Sequence, residues 1–320
     1  MSPWLSVLLP TYNGGAYLRY TLESLLHADS REVEIIAVDD GSADDTVSIL
    51  EGFASRLTLD IRRPPRTGNW VESINLALGL ARADHVCLLH QDDCWLPGRL
   101  DVVRRYVTRW HEGSWLVHPS IYLDPAGRRI GVWRCPLRAG TVAPRDFLER
   151  LIVQNFISLP APVFPRRVAL DLGGMDAALK YTADWDFWLR MAGALPACYV
   201  SEPLTAFRIH PASQTITLSQ DRSDFQRQFE IVLGRHLPEI LSQSRSPSRL
   251  RRMARFSADL NMALAGTLHG HGGISMALLG RAVGLGPAGL GRFVRDSRIL
   301  ERTVARLRVN WSAANQRKEM

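Results

Sequence analysis

Three acidic clusters hold most of the chemistry that this sequence offers. In "HQDDCWLP" (90–97), Asp92 and Asp93 stand side by side directly after the apolar run "HVCLL". In "AVDDGSADDT" (37–46), Asp39 and Asp40 do the same, and in "YTADWDFWLRM" (181–191) Asp184 and Asp186 head an aromatic-rich helix. Adjacent carboxylates at the mouth of a sheet are costly unless a cation or hydrogen-bond donors neutralise them. Hard oxygen donors, completed by water and phosphate, suit Mg2+ or Mn2+. Asp92 and Asp93 therefore read as a place where a metal diphosphate relieves the repulsion; the plainer reading is a turn before a helix starting near Pro97.

The other clusters carry two readings each. Asp39 or Asp40 is either the acceptor for an imide N–H, such as that of a uracil or thymine ring, or an Asx-turn residue with Ser42 as a helix cap. Asp184 is either a general base on a site wall or, with Thr182, a cap at a helix start that favours acidic residues. Trp185 and Trp188 then supply a sugar-stacking or a packing surface. In "FRIHPASQT", Arg208 and His210 alternate to one face of a strand, which suits a phosphate or a metal, although a lone histidine is more often structural.

These residues need a scaffold that brings strand ends together. Short β-rich runs at 4–9, 33–38, 57–61 and 85–89 alternate with helical patterns at about 15–27, 44–54 and 70–82. That alternation implies right-handed crossovers and a mostly parallel sheet with helices on both faces, an α/β Rossmann-like fold. Ligands of such sheets sit at the carboxyl ends of strands. "PTYNGG", "DDGSADD", "RRPPRTGN" and "QDD" follow the four runs, so four loaded loops converge on one edge. Next come a hairpin over 116–137 turning at "DPAG", a helix from Pro144, a helix over 183–193 and short strands at "ACYV" and "LTAFRI". After Asp221 the pattern is helical, roughly 222–236, 247–268, 273–283 and 293–308, broken by "SQSRSPSR", "HGHGG" and "GLGPAGLG".

With 320 residues, 46% of them apolar, the chain can bury a large core in one large domain or two. We divide it into residues 1–220 and a basic helical region, 221–320. The net charge of +7 belongs to the second part, which has 17 Lys and Arg against 8 Asp and Glu; 22 against 24 remain for the first. A basic end suggests an anionic partner: membrane surface, nucleic acid or acidic polymer. Cys87, Cys94, Cys135 and Cys198 show no C-x-x-C spacing, and "MSPWLSVLLP" has no charged leader, as expected of a reduced, cytoplasmic protein. No apolar run reaches the ~18 residues of a membrane span.

Taken in order, the motifs resemble the family 2 glycosyltransferases of the GT-A fold, over about residues 4–215. "PTYN" at Pro10–Asn13, the "VDDGSADDT" run at Val38–Thr46, "HQDDCWLP", "GGMDAALKYTADWDFWLR" and "FRIHPAS" carry the likeness. His90 stands where the family usually has an Asp, and Ala183 where it usually has a Glu. The resemblance implies that Pro10, Tyr12 and Asp40 hold the nucleobase and ribose and that Asp93 lines the donor pocket. It also implies that Asp92 binds Mn2+ or Mg2+, with His210 beside the metal diphosphate; the residues' own placement adds His90, Arg208, Trp185 and Trp188 as supporting candidates.

The expected reaction is inverting transfer of a sugar from a nucleotide diphosphate sugar to a glycan or lipid-linked acceptor, with Asp184 as the catalytic base. Bacterial surface polysaccharide assembly is the expected setting. The partners implied include no nucleic acid; region 221–320 would meet an anionic membrane on its inner face or a second copy of the chain. Two other classes compete. A sugar-1-phosphate nucleotidyltransferase normally carries a Gly-rich, Lys/Arg-bearing loop after its first strand, which "PTYNGGAYLRY" lacks, and a non-catalytic relative of the fold would be expected to have lost Asp92, Asp93 and Asp184. A nicotinamide enzyme would need G-x-G-x-x-G after that strand, and none is there.

Overall fold

The computed structural model describes residues 3–28, 32–110, 113–213, 221–268, 273, 275–305 and 308. Its strands in the first half are β1 (Leu5–Thr11), β2 (Val33–Asp39), β3 (Leu59–Arg62), β4 (His85–Leu88), β5 (Cys94–Trp95) and β6 (Trp115–Val117). They continue with β7 (Ser120–Leu123), β8 (Arg129–Trp133), β9 (Gly140–Val142), β10 (Val163–Pro165), β11 (Ala197–Tyr199) and β12 (Thr205–Arg208). The large sheet runs β3-β2-β1-β4-β10-β6-β11-β9. Its first four strands pair in parallel, as their spacing with helices requires, whereas β10 enters antiparallel between β4 and β6 and makes the sheet mixed.

Period-two alternation sorts the side chains of β1 onto two faces. Leu5, Val7 and Leu9 pack on one side with α1 (Leu18–His27), α2 (Thr46–Phe53) and residues Val103 and Tyr106 of a helix, α4, spanning Arg99–Trp110. Leu8 packs on the other side with α3 (Trp70–Leu80), α5 (Pro144–Leu151) and α7 (Ala183–Ala194), while the short α6 (Arg166–Asp171) follows β10. Strands buried on both faces read as continuous apolar runs, which is why "LSVLL" and "VEIIAV" are so legible.

A second, smaller sheet, β5-β12-β7-β8, joins the expected hairpin and the strand at "LTAFRI" with β5, which the sequence did not show. Its β7–β8 hairpin turns at Asp124–Arg128, with Gly127 at φ +80° in the left-handed region. β5 has two residues, too short to show a period, and pairs antiparallel with β12, Cys94 facing Ala206. That register carries Asp92 towards Arg208 and His210.

Beyond Asp221 lie α8 (Arg222–Gln243), α9 (Pro247–Leu268), α10 (Met276–Gly284) and α11 (Gly286–Ser297), then a helical stretch over 299–305. Phe225 and Phe229 of α8, Met253 and Phe256 of α9 and Phe293 of α11 join the same core cluster as α5 and α7. "GLGPAGLG" does break the helical pattern, at Leu285 between α10 and α11, but α11 starts again inside it, its proline in the first turn where no N–H partner is lost.

Candidate active site

The carboxyl ends of β1, β2 and β4 open into a cavity of about 490 Å3. Its walls include Pro10, Tyr12, Asp40, His90, Asp92, Asp93, Asp184, Trp185 and His210. Residues nearly two hundred positions apart are thus assembled at one sheet edge.

At the β1 end, Gln91 grips the backbone of Tyr12 twice, accepting from its N–H at 2.8 Å and donating to its carbonyl at 2.9 Å. Arg66 lies over the Tyr12 ring at 4.5 Å and donates to its hydroxyl at 2.6 Å. Asp40 positions Arg66: its carboxylate accepts from the Thr67 and Gly68 backbone N–H groups at 2.7 and 2.8 Å. Asp39 takes the turn role instead, accepting from the Ser42 N–H at 3.0 Å, with Gly41 at φ +77°. Ser42 caps no helix; its hydroxyl accepts from the Asn13 N–H.

The adjacent pair resolves into two unlike groups. Asp92 Oδ2 meets His210 Nε2 at 2.8 Å. Burial works to raise the Asp92 carboxyl, but the His210 hydrogen bond and the neighbouring imidazoles outweigh it and hold the group below the usual carboxylate range. Asp93 is 1% exposed and accepts from the Arg208 N–H at 3.1 Å. Burial, and then the charge of Asp92, push it well above that range. One carboxylate is therefore charged and the other favours its proton.

Around this pair the expectations separate. Burial lowers His90 to about 4, so its ring is neutral; it stands edge-on to Trp70 at 5.2 Å and its Nε2 is buried with no partner. Arg208 does not reach the cavity as expected. Its guanidinium is spent on the carbonyls of Asp92 and Asp124 at 3.0 and 3.2 Å and packs over Tyr17 at 4.9 Å, so it locks the turn that carries the acidic pair.

Asp184 is placed by α7, whose entry loop lies along α3. The Asn69 side-chain amide donates to Ala177 O at 2.9 Å, Asn75 to Met175 O at 2.8 Å and the Trp70 indole to Lys180 O at 2.9 Å. The Asp184 oxygens accept from Trp185 N–H at 2.8 Å and from Asn155 Nδ2 at 2.9 Å. Burial nevertheless dominates and raises the carboxyl to about 6. Trp185 keeps an edge on the cavity but is 4% exposed, its indole donating to Leu151 O. Trp188 is not at the site: nearly a full turn further along the same side of α7, it is fully buried and stacks on Trp115 at 5.7 Å. Asp186 is likewise structural, tied to Arg190 at 2.9 Å and to His236 of α8 at 2.8 Å.

Arg66, Gln91, Asn155, Lys180 and Arg302 also line the cavity and were not singled out from sequence. Arg66 and Gln91 lie inside loops that were flagged. Lys180 had a signal: it is one of only two lysines in the chain. Asn155 and Arg302 had none.

A divalent cation fits this donor set. Asp92 Oδ2 and His210 Nε2, hydrogen-bonded to each other at 2.8 Å, are the two side chains that would hold it, the imidazole giving up that bond when it binds. Among the described residues no three His, Cys, Asp or Glu side chains form a ready-made metal cluster. One imidazole beside one carboxylate suits Mn2+ at least as well as Mg2+.

Comparison with known proteins agrees with this fold. Residues 6–147 match the model of the family described as Glycosyl transferase family 2. An uncharacterized protein of Mycobacterium tuberculosis is 31% identical over 238 residues, which cover 69% of this chain and 72% of that protein. The crystal structure of Staphylococcus aureus TarS residues 1–349 with UDP-GlcNAc superposes with TM-score 0.62 at 16% identity, covering 92% of this chain and 81% of that one. The mannosyltransferase PcManGT of Pyrobaculum calidifontis, solved with GDP-Man and Mn2+, gives 0.55 at 17% identity, covering 98% and 88%. The chain belongs to the family 2 glycosyltransferases, and its α/β fold with a C-terminal helical region is of the GT-A kind.

Proposed function

We propose that the protein transfers a sugar, with inversion, from a nucleoside diphosphate sugar to an acceptor hydroxyl. The observation that carries this reading is a single cavity lined by a base-like carboxyl, Asp184, raised to about 6, and by the Asp92–His210 pair. Pro10, Tyr12 and Arg66 form the nucleoside end, with Asp40 shaping it and offering its remaining lone pairs, and Asp93 closes the wall beside the diphosphate. A bound Mn2+ or Mg2+ on Asp92 and His210 would neutralise charge on the diphosphate. His90, neutral and with an unpartnered Nε2, supports this end.

In the step itself the acceptor oxygen attacks the anomeric carbon as the bond to the diphosphate breaks, and Asp184 takes the hydroxyl proton. The cavity holds both partners in line, an effect worth roughly 7–11 kcal/mol. The relatives solved with UDP-GlcNAc and with GDP-Man and Mn2+ support a nucleotide-sugar donor. Incubation with a panel of such donors in Mn2+ tests the reading through metal-dependent sugar release and thermal stabilisation.

The acceptor we propose is a surface glycan under assembly on a lipid carrier, met at an anionic membrane face by the basic region 221–320. Met276, Leu279 and Val283 favour this: at i, i+3 and i+7 on α10 they are 81%, 47% and 80% exposed. No helix among the described residues is long and apolar enough to cross a membrane.

A further inference from the structure

The matched family model ends at residue 147, yet the cavity is completed by residues far beyond it. Phe229 of α8, Asn261 of α9 and Arg302 of the stretch 299–305 all line it. Asn261 donates to Gln154 Oε1 at 2.8 Å, and Ser257 to the same oxygen at 3.0 Å, so α9 fixes the loop after α5. Arg302 lies over the Trp133 ring at 5.4 Å and donates to the Asn155 carbonyl at 3.3 Å. Asn155 in turn has its own side chain oriented: Oδ1 accepts from Ile157 N–H at 3.1 Å, which leaves Nδ2 to donate to Asp184.

We propose that Arg302 is a positioning residue for Asp184: it anchors Asn155 under the carboxylate and places a fixed positive charge beside it, making the C-terminal region a working part of the active site. The proposal rests on the reading of Asp184 as base only for its effect on rate. The guanidinium opposes the burial that raises the Asp184 carboxyl, and the charged group felt there is Arg302. The other groups that meet Asp184, the Trp185 N–H and the Asn155 amide, are neutral donors. Loss of the charge leaves burial less opposed, so the carboxyl should bind its proton at a higher pH.

The test is direct titration of the Asp184 carboxyl carbon by NMR in the full chain labelled at aspartate, assigned with Asp184→Asn, in wild type, Arg302→Gln and Arg302→Lys. We expect the midpoint near 6 to rise by at least about half a pH unit in Arg302→Gln and to stay near the wild-type value in Arg302→Lys. Turnover, measured in parallel, should show its acid limb displaced by the same amount. An unmoved midpoint in Arg302→Gln with an intact melting temperature overturns the proposal. If Arg302→Gln does not fold, Arg302→Lys decides: a midpoint displaced as far as loss of the charge predicts contradicts the role. Should Asp184→Asn keep full turnover, the base reading fails, but the titration still answers for Arg302.

Discussion

His210 Nε2 lies 2.8 Å from Asp92 Oδ2 across 118 residues of chain, and the two-residue strand β5 pairing with β12 brings them together. Under the proposed function both are ligands of one cation. Asp92→Ala and His210→Ala should each weaken UDP or GDP binding in Mn2+ by at least about 10-fold, the loss that even the outer partners of a metal site produce. In excess chelator the variants and wild type should bind alike. Calorimetric titration with and without Mn2+ measures this, and equal affinities with metal present would remove both residues from the site.

Turnover should follow the Asp184 carboxyl. Only the ionised form takes a proton, so the rate should fall as pH drops through about 6 and level off above it. Asp184→Asn keeps the shape, yet turnover should drop by about 10²-fold or more with donor affinity intact. Wild-type turnover in that variant would reduce Asp184 to a structural residue of the first turn of α7. The same shift has a stability consequence of opposite sense. Because the folded carboxyl is raised above its unfolded value, its contribution to stability is full below about pH 4 and is lost as pH rises through about 6.

Asp186 should behave in the reverse way. Burial acts to raise it, but His236 and Arg190 prevail and hold it below the ordinary range, so its contribution is present near neutrality and is lost on acidification through its lowered folded value. Asp186→Ala strands His236 and unties α8 from α7, a loss of about 3–5 kcal/mol by analogy with broken buried pairs. Denaturant melts at several pH values check both the size and the slope.

The two tryptophans after Asp184 share a motif but not a role. Trp188→Ala should cost about 3–5 kcal/mol, as a large core truncation does, with no change in donor KM for the folded fraction. A raised KM at unchanged stability would return Trp188 to the cavity.

Membrane contact through the C-terminal region predicts flotation with vesicles containing anionic lipid at low salt and release at high salt. Val283→Glu and Met276→Glu, both at highly exposed positions, should reduce flotation without altering the melt. Equal recovery with neutral lipid, or none with either, would leave α10 a structural element.

What the sequence made legible follows from where its signals are local. β1, β2 and β4 are buried on both faces and announce themselves as apolar runs, and each is followed by the loop that lines the cavity. Asp92, Asp184 and His210 could be picked out because acidic or imidazole groups beside strand ends and helix starts are chemically conspicuous. Three strands of the small sheet could be read, but β5, which spans two residues, could not, and the division of labour between Asp39 and Asp40 depends on backbone N–H groups at Thr67 and Gly68 that no spacing reveals. Arg302 is one arginine among many in a basic tail; only tertiary packing sets it beside Asp184.

Single displacement at the anomeric carbon is the central claim, and it can be watched directly. Proton NMR during metal-dependent hydrolysis of an α-linked donor such as UDP-GlcNAc or GDP-mannose reports which anomer of the sugar is released before mutarotation. The account predicts the β anomer first, in Mn2+ and not in chelator, with Asp92→Ala and Asp184→Asn both slow. Release of the α anomer first, or a rate indifferent to metal and to both substitutions, would contradict it.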